Sequence, residues 1–229
     1  IDMPYNDRQY MQDDVKYFDT AVNGAIKYYD PDVIEMLDST AKQLLTWENP
    51  YTGMTLADDP SLVWVSLYNE STIYRHASLG GNEYYNDEIQ KYFNEWLKEK
   101  YPTRDALNYA WYMPESTDTK GLEADEDQFE GTVRIYGASE RKFCNVKRYN
   151  DMVAFLGDME RKTYRSRMDK IKEYAPKVLT MGTTGCYAGG SDVYVAYYYD
   201  CLKEGDVTSQ HSYWYLPGGN GEAVEAGTT

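Results

Sequence analysis

Histidine and cysteine are scarce in this chain, and their scarcity removes several chemistries. Only His76 and His211 occur among 229 residues, too few for a multi-histidine metal centre. The three cysteines, Cys144, Cys186 and Cys201, are too few and too irregularly spaced for a disulfide scaffold or a zinc site, and leave room for at most one disulfide. Basic residues are in deficit as well: 23 Lys and Arg stand against 38 Asp and Glu, a net charge of −15. That balance repels a nucleic-acid backbone or an anionic membrane, so neither is expected as a partner. No window reaches the roughly 18 apolar residues of a membrane span. The chain opens on Ile1 with no basic, apolar, small-residue leader, so its true start is expected to lie elsewhere and localisation is not readable from its ends. A Ser-based nucleophile elbow is missing, and Gly185, Gly189 and Gly190 do not have phosphate-binding spacing.

What is present is enough apolar sequence, 42%, for one sizeable domain. Tyrosine is the outlier, with 25 Tyr and 5 Trp against 5 Phe. Rings that carry a hydrogen-bonding edge suit sugar surfaces, and they serve equally well in a core that simply uses Tyr.

The central stretch is Ser61-Leu62-Val63-Trp64-Val65-Ser66-Leu67-Tyr68-Asn69-Glu70. An apolar run rich in β-formers and without strict alternation predicts a strand buried on both faces, as in a parallel sheet covered by helices. It stops at an amide and a carboxylate, and function sits at the carboxyl ends of such strands.

Residues 1–30 read as a long polar and aromatic loop. Val33, Leu37, Ala41 and Leu44 at helical spacing predict a helix over 31–46, with Asp30 as cap and Pro31 in the first turn. Asn49-Pro50-Tyr51-Thr52-Gly53 is a turn. Ile89, Phe93, Trp96 and Leu97 mark a helix over 83–99, which Pro102 stops, and Thr103 caps a short helix through Trp111. Residues 112–147 form an insertion containing Glu123-Ala124-Asp125-Glu126-Asp127, expected as a solvated acidic loop because it lacks the Gly and terminal Glu of a calcium site. A long helix over 148–174 turns Met152, Phe155, Leu156, Met159, Met168 and Ile171 inward and many Arg and Lys outward. A second strand ends at about Thr184, a helix covers 191–203, and a third strand runs from Asp206 to Trp214, placing His211 and Tyr213 on one face. Helices alternating with strands specify parallel pairing through right-handed crossovers.

These elements in this order resemble the clan A retaining glycoside hydrolases, most closely the family 5-like branch of cellulases and mannanases. The resemblance rests on Leu44-Leu45-Thr46-Trp47-Glu48-Asn49-Pro50-Tyr51-Thr52-Gly53 with Asp58-Asp59-Pro60, on Tyr68-Asn69-Glu70-Ser71, and on His211-Ser212-Tyr213-Trp214. It implies an α/β fold, the (β/α)8 TIM barrel, of which residues 1–229 supply one domain's middle strands, about four to six, incomplete at both ends. It implies Glu70 as general acid/base, Asn69 on the sugar 2-hydroxyl, and His211 and Tyr213 supporting substrate and nucleophile. Trp214 is the favoured sugar platform, ahead of Tyr68 and Tyr215.

A retaining enzyme needs two carboxyl groups about 5 Å apart. The family's nucleophile is a Glu ending strand seven, whereas this chain finishes with Glu222 and Glu225 after no convincing strand. A full barrel takes about 250 residues, so the nucleophile and the remaining barrel segments are expected from outside this chain. The expected function is hydrolysis of a β-linked polysaccharide or oligosaccharide, with carbohydrate as partner and no metal or cofactor. An extracellular or cell-surface location would suit polysaccharide degradation. The competing expectation is a carbohydrate-binding or structural protein that keeps a hydrolase-like barrel without catalysis.

Overall fold

The computed structural model describes residues 25–76, 83–114, 121–136, 144–184 and 199–209. Two parallel strands and the helices that flank them form its framework. A 3-10 turn, Ile26–Tyr28, leads into helix α1, Pro31–Thr46. Asp30 caps α1 by accepting hydrogen bonds from the backbone N–H groups of Asp32 and Val33, and Pro31 occupies the first position, where no N–H is needed. Val33, Leu37, Ala41 and Leu45 are buried, while Leu44 is half-buried at the edge of the stripe. The turn that follows closes through Gly53 N–H to the Asn49 carbonyl at 2.8 Å, with Gly53 at φ +68°.

Strand β1, Trp64–Asn69, is shorter than the apolar run that predicts it. Asp59 explains its late start: its carboxylate accepts from the Ser61 N–H and hydroxyl, which bends the chain away before Val63. From Val65 to Tyr68 every residue is buried, including both faces of the pleat. Leu67 alone contributes about 2 kcal/mol by its removal from water. After β1 come α2, Ile73–His76; α3, Glu83–Lys100; α4, Arg104–Trp111, capped by Thr103; and α5, Val146–Tyr174, capped by Asn145. Strand β2, Leu179–Thr184, then pairs in parallel with β1, with Trp64 opposite Leu179 and Asn69 opposite Thr184.

Helix α5 is the hub, packed against α1, α2, α3, α4 and both strands. Lys162, Arg165 and Lys170 face outward as the periodicity predicts, but not every Arg does. Arg148 and Arg167 are buried, because each has a carboxylate partner brought from a distant segment. The guanidinium of Arg148 meets Glu126 through two bonds of 2.6 and 2.7 Å and lies between the rings of Trp111 and Tyr136. Glu126, expected in a solvated acidic loop, is therefore wholly buried. It accepts further bonds from the N–H groups of Glu123 and Arg134. Burial pushes its carboxyl up, but Arg148 and those N–H groups outweigh this and hold it below the ordinary carboxylate range.

Other expectations also change. The last residues of the predicted opening loop, Ala25, Ile26, Tyr28 and Tyr29, belong to the core. Residues 206–209 form no strand, although they lie along β2: the Asp206 N–H donates to the Thr180 carbonyl at 2.8 Å, and the Asp206 carboxylate accepts from the Thr180 N–H. Pairing stops there because the side chain of Asp206 has taken the β2 N–H that a ladder would use. Residues 199–202 are helical; the rest of the predicted helix over 191–203 lies outside the described residues. Cys144 and Cys201 are buried, and Cys186 lies outside the described residues. Among the described residues no helix is long and apolar enough to cross a membrane.

Candidate active site

Glu70 is the first residue beyond β1 and the only non-glycine residue at positive φ among those described, at +46°. A left-handed conformation costs a non-glycine residue about 1–2 kcal/mol, and such residues persist where their surroundings over-determine them. Here the surroundings act on the next residue, Ser71, which is buried. Its N–H donates to Thr183 Oγ1 at 3.1 Å, bridging from β1 to β2. Its hydroxyl pairs with the Tyr28 hydroxyl at 3.1 Å. The Tyr164 hydroxyl lies 3.1 Å from the Ser71 carbonyl and 2.8 Å from Glu160 Oε1, offering its proton to both acceptors.

Below this point the tyrosines close ranks. Tyr28, Tyr68 and Tyr164 form a ring cluster with centroids 5.4 to 6.1 Å apart. The Tyr68 ring is buried, so it packs the core and does not offer a sugar platform. Its hydroxyl accepts from Arg167 Nη1 at 2.8 Å, and Arg167 Nε donates to Asp38 Oδ1 at 2.8 Å. Burial pulls the Arg167 guanidinium down, but Tyr68 and Asp38 more than offset this and hold it above its usual value. Burial, with the carboxylate of Glu160 second, raises the Tyr28 hydroxyl well above the usual phenol value, so this hydroxyl stays neutral at physiological pH.

Asn69 and Glu70, the sequence-selected pair, thus stand at the carboxyl end of β1, Asn69 exposed and Glu70 half-buried. His211, Tyr213, Trp214 and Tyr215 lie outside the described residues. The chain thus leaves the buried strand at Asn69, while the hydroxyl of Ser71 is engaged by Tyr28. Thr183, Ser71 and Tyr28 escape sequence reasoning because their contacts span 43 and 112 positions. Glu160 and Tyr164 left a signal: they interrupt the apolar series Leu156, Met168 and Ile171 on the buried face of α5. Among the described residues no cluster of His, Cys, Asp and Glu could hold a metal ion.

A separate cavity of about 320 Å³ opens between the 3-10 turn, α3 and α5. Tyr29, Tyr92, Trp96 and Phe155 line it with Glu95 and Asp158, and neither Asn69 nor Glu70 reaches it.

Two parallel strands wrapped by helices, with polar residues gathered at their carboxyl ends, are consistent with part of a glycoside hydrolase TIM barrel. Solved structures share this fold. An agarase is 19% identical with a TM-score of 0.52, over 82% of this chain and 24% of its own. A beta-galactosidase from the Antarctic haloarchaeon Halorubrum lacusprofundi is 19% identical with a TM-score of 0.50, over 81% and 24%. The beta-galactosidase of Rahnella sp. R3 is 18% identical with a TM-score of 0.53, over 83% and 24%. The chain therefore spans about a quarter of the length of the structures it matches. No curated protein matches it. The family model described as beta-galactosidase, Glyco_hydro_42, matches residues 52–227, and the chain belongs to that glycoside hydrolase family. The match supports the clan A resemblance without supporting its family 5-like branch.

Proposed function

We propose that this chain carries the acid/base half of a retaining glycoside hydrolase that acts on a β-linked, galactose-containing sugar. The observation that supports this best is Glu70 itself: a carboxylate in a left-handed backbone at the end of a buried parallel strand. Agarase and beta-galactosidase are what the similar structures are called, and galactosides are the substrate class they have in common. In this reading residues 1–229 are one barrel domain, incomplete at both ends. Its β1 and β2 correspond to barrel strands four and five. The segments that complete the barrel come from outside the chain and bring the nucleophile.

In its protonated form Glu70 donates to the glycosidic oxygen as the bond to the leaving group breaks, while the second carboxylate attacks the anomeric carbon from the opposite face. Glu70 then takes a proton from the water that releases the sugar, so one group serves both steps. Asn69, one residue earlier, reaches the 2-hydroxyl. His211 and Tyr213 support substrate and nucleophile, and Trp214 provides an apolar face for a sugar ring.

The test is kinetic, on the full-length protein that carries this chain. Glu70→Gln lowers kcat/KM on alkyl β-galactosides by about 100-fold or more, and less on a nitrophenyl galactoside, whose leaving group needs no proton. Unchanged hydrolysis of both substrates removes Glu70 from the mechanism.

A further inference from the structure

The direction in which Glu70 points is set by two peptide planes. The plane before it belongs to β1, where Asn69 is in register with Thr184 of β2. The plane after it contains the Ser71 N–H, because the carbonyl of one residue and the N–H of the next share a rigid unit. That N–H donates to Thr183 Oγ1 at 3.1 Å, and Thr183 is itself fully buried. Both planes that meet at the Glu70 Cα are therefore anchored to β2, one through the ladder and the other through a side chain.

We infer that Thr183 is a positioning residue for Glu70, its hydroxyl holding the Glu70–Ser71 peptide in the orientation that aims the carboxyl group. The inference rests on the acid/base reading of Glu70 and deepens it. Thr183 touches no substrate; it acts through the backbone. Three features make the role specific to the hydroxyl. The Ser71 N–H is buried, and an unpaired N–H there would turn towards another acceptor. Glu70 already lies in a strained region, at φ +46°, a conformation that persists only where the surroundings hold it. The other Ser71 contacts, to Tyr28 and Tyr164, fix its side chain and its carbonyl, whereas Thr183 Oγ1 takes the N–H of the Glu70–Ser71 plane. A carboxyl group displaced by about 1 Å at the reacting bond costs on the order of 100-fold in rate.

Thr183→Val removes the hydroxyl at nearly constant volume, and Thr183→Ser restores it. In the full-length protein, kcat/KM on an alkyl β-galactoside should fall about 10- to 100-fold in Thr183→Val, against a much smaller loss on the nitrophenyl galactoside. Thr183→Ser should recover most of the difference, and KM should stay close to that of the parent. The pattern reads lost proton donation, which a general loosening of the barrel would not single out. Equal losses on both substrates would overturn the inference, as would a crystal structure of Thr183→Val in which residue 70 keeps φ near +46° and an unmoved carboxyl group. Glu70→Gln run alongside separates the two levels. If it shows no leaving-group signature, the acid/base reading fails; if it shows the signature and Thr183→Val does not, the positioning role alone fails.

Discussion

Two knots of buried polar groups hold this chain together, and they are built on opposite principles. Around Glu126 the knot is ionic: a carboxylate and the guanidinium of Arg148, both withdrawn from water, clamp the insertion to the start of α5. Around Ser71 the direct bonds are made by hydroxyls and backbone groups contributed by Tyr28, Tyr164 and Thr183, with the Glu160 carboxylate one step further out behind Tyr164. An ion pair fixes where two segments meet, and it leaves a large penalty if one partner is lost. Hydroxyls with fixed acceptors fix how a peptide is turned, at a smaller energy per bond. The first kind suits a loop that must be fastened, the second a backbone that must be aimed.

The comparison breaks most visibly at Arg148. Arg148→Ala leaves Glu126 buried without its main counter-charge and should cost about 3–5 kcal/mol of stability, measured by denaturant unfolding of the full-length protein; a loss below 1 kcal/mol would mean that water or Arg134 replaces the guanidinium. Acid sharpens the contrast next. The carboxyl of Glu126 is held below its ordinary value, so its contribution is complete above about pH 4.3 and fades as pH falls through the lower, folded value. The Tyr28 hydroxyl is raised, so its contribution is complete below about pH 10 and fades only above that. Melting temperature against pH should therefore lose part of its acid limb in Glu126→Gln, while Tyr28→Phe leaves that limb intact; identical acid limbs in parent and Glu126→Gln would contradict this. The smallest effect is that of Tyr28→Phe itself at neutral pH, about 1 kcal/mol for one neutral hydrogen bond, readable as a small calorimetric shift.

The same division explains what the sequence could show. Local signals were readable: Asp30 and Pro31 start α1 where expected, Thr103 caps α4, and the run from Val65 to Tyr68 is buried throughout. Each depends on residues a few positions apart. The long-range partners were not readable, since nothing near Arg148 announces Glu126 22 residues earlier, and nothing near Ser71 announces Thr183. Counting charge as solvent-facing therefore failed for Arg148, Arg167 and Glu126. The start of the predicted third strand differs for a related reason, while its residues 210–214 lie outside the described residues. Residues 206–209 have strand-like composition, but the Asp206 side chain occupies the Thr180 N–H. Glu70 and Asn69 were marked by position alone, at the end of an apolar run, while the groups that orient them carried no mark.

Helix α5 and strand β2 meet closely at Gly182. A Cβ there would stand 2.6 Å from the Tyr164 ring, a ring that is completely buried and has nowhere to retreat. The hydroxyl that reaches Ser71 thus owes its place to a side chain that is missing from β2. Position 182 should accept no replacement at all in a library screened for activity, Ala included, even though a glycine inside a strand ordinarily invites substitution by almost anything larger.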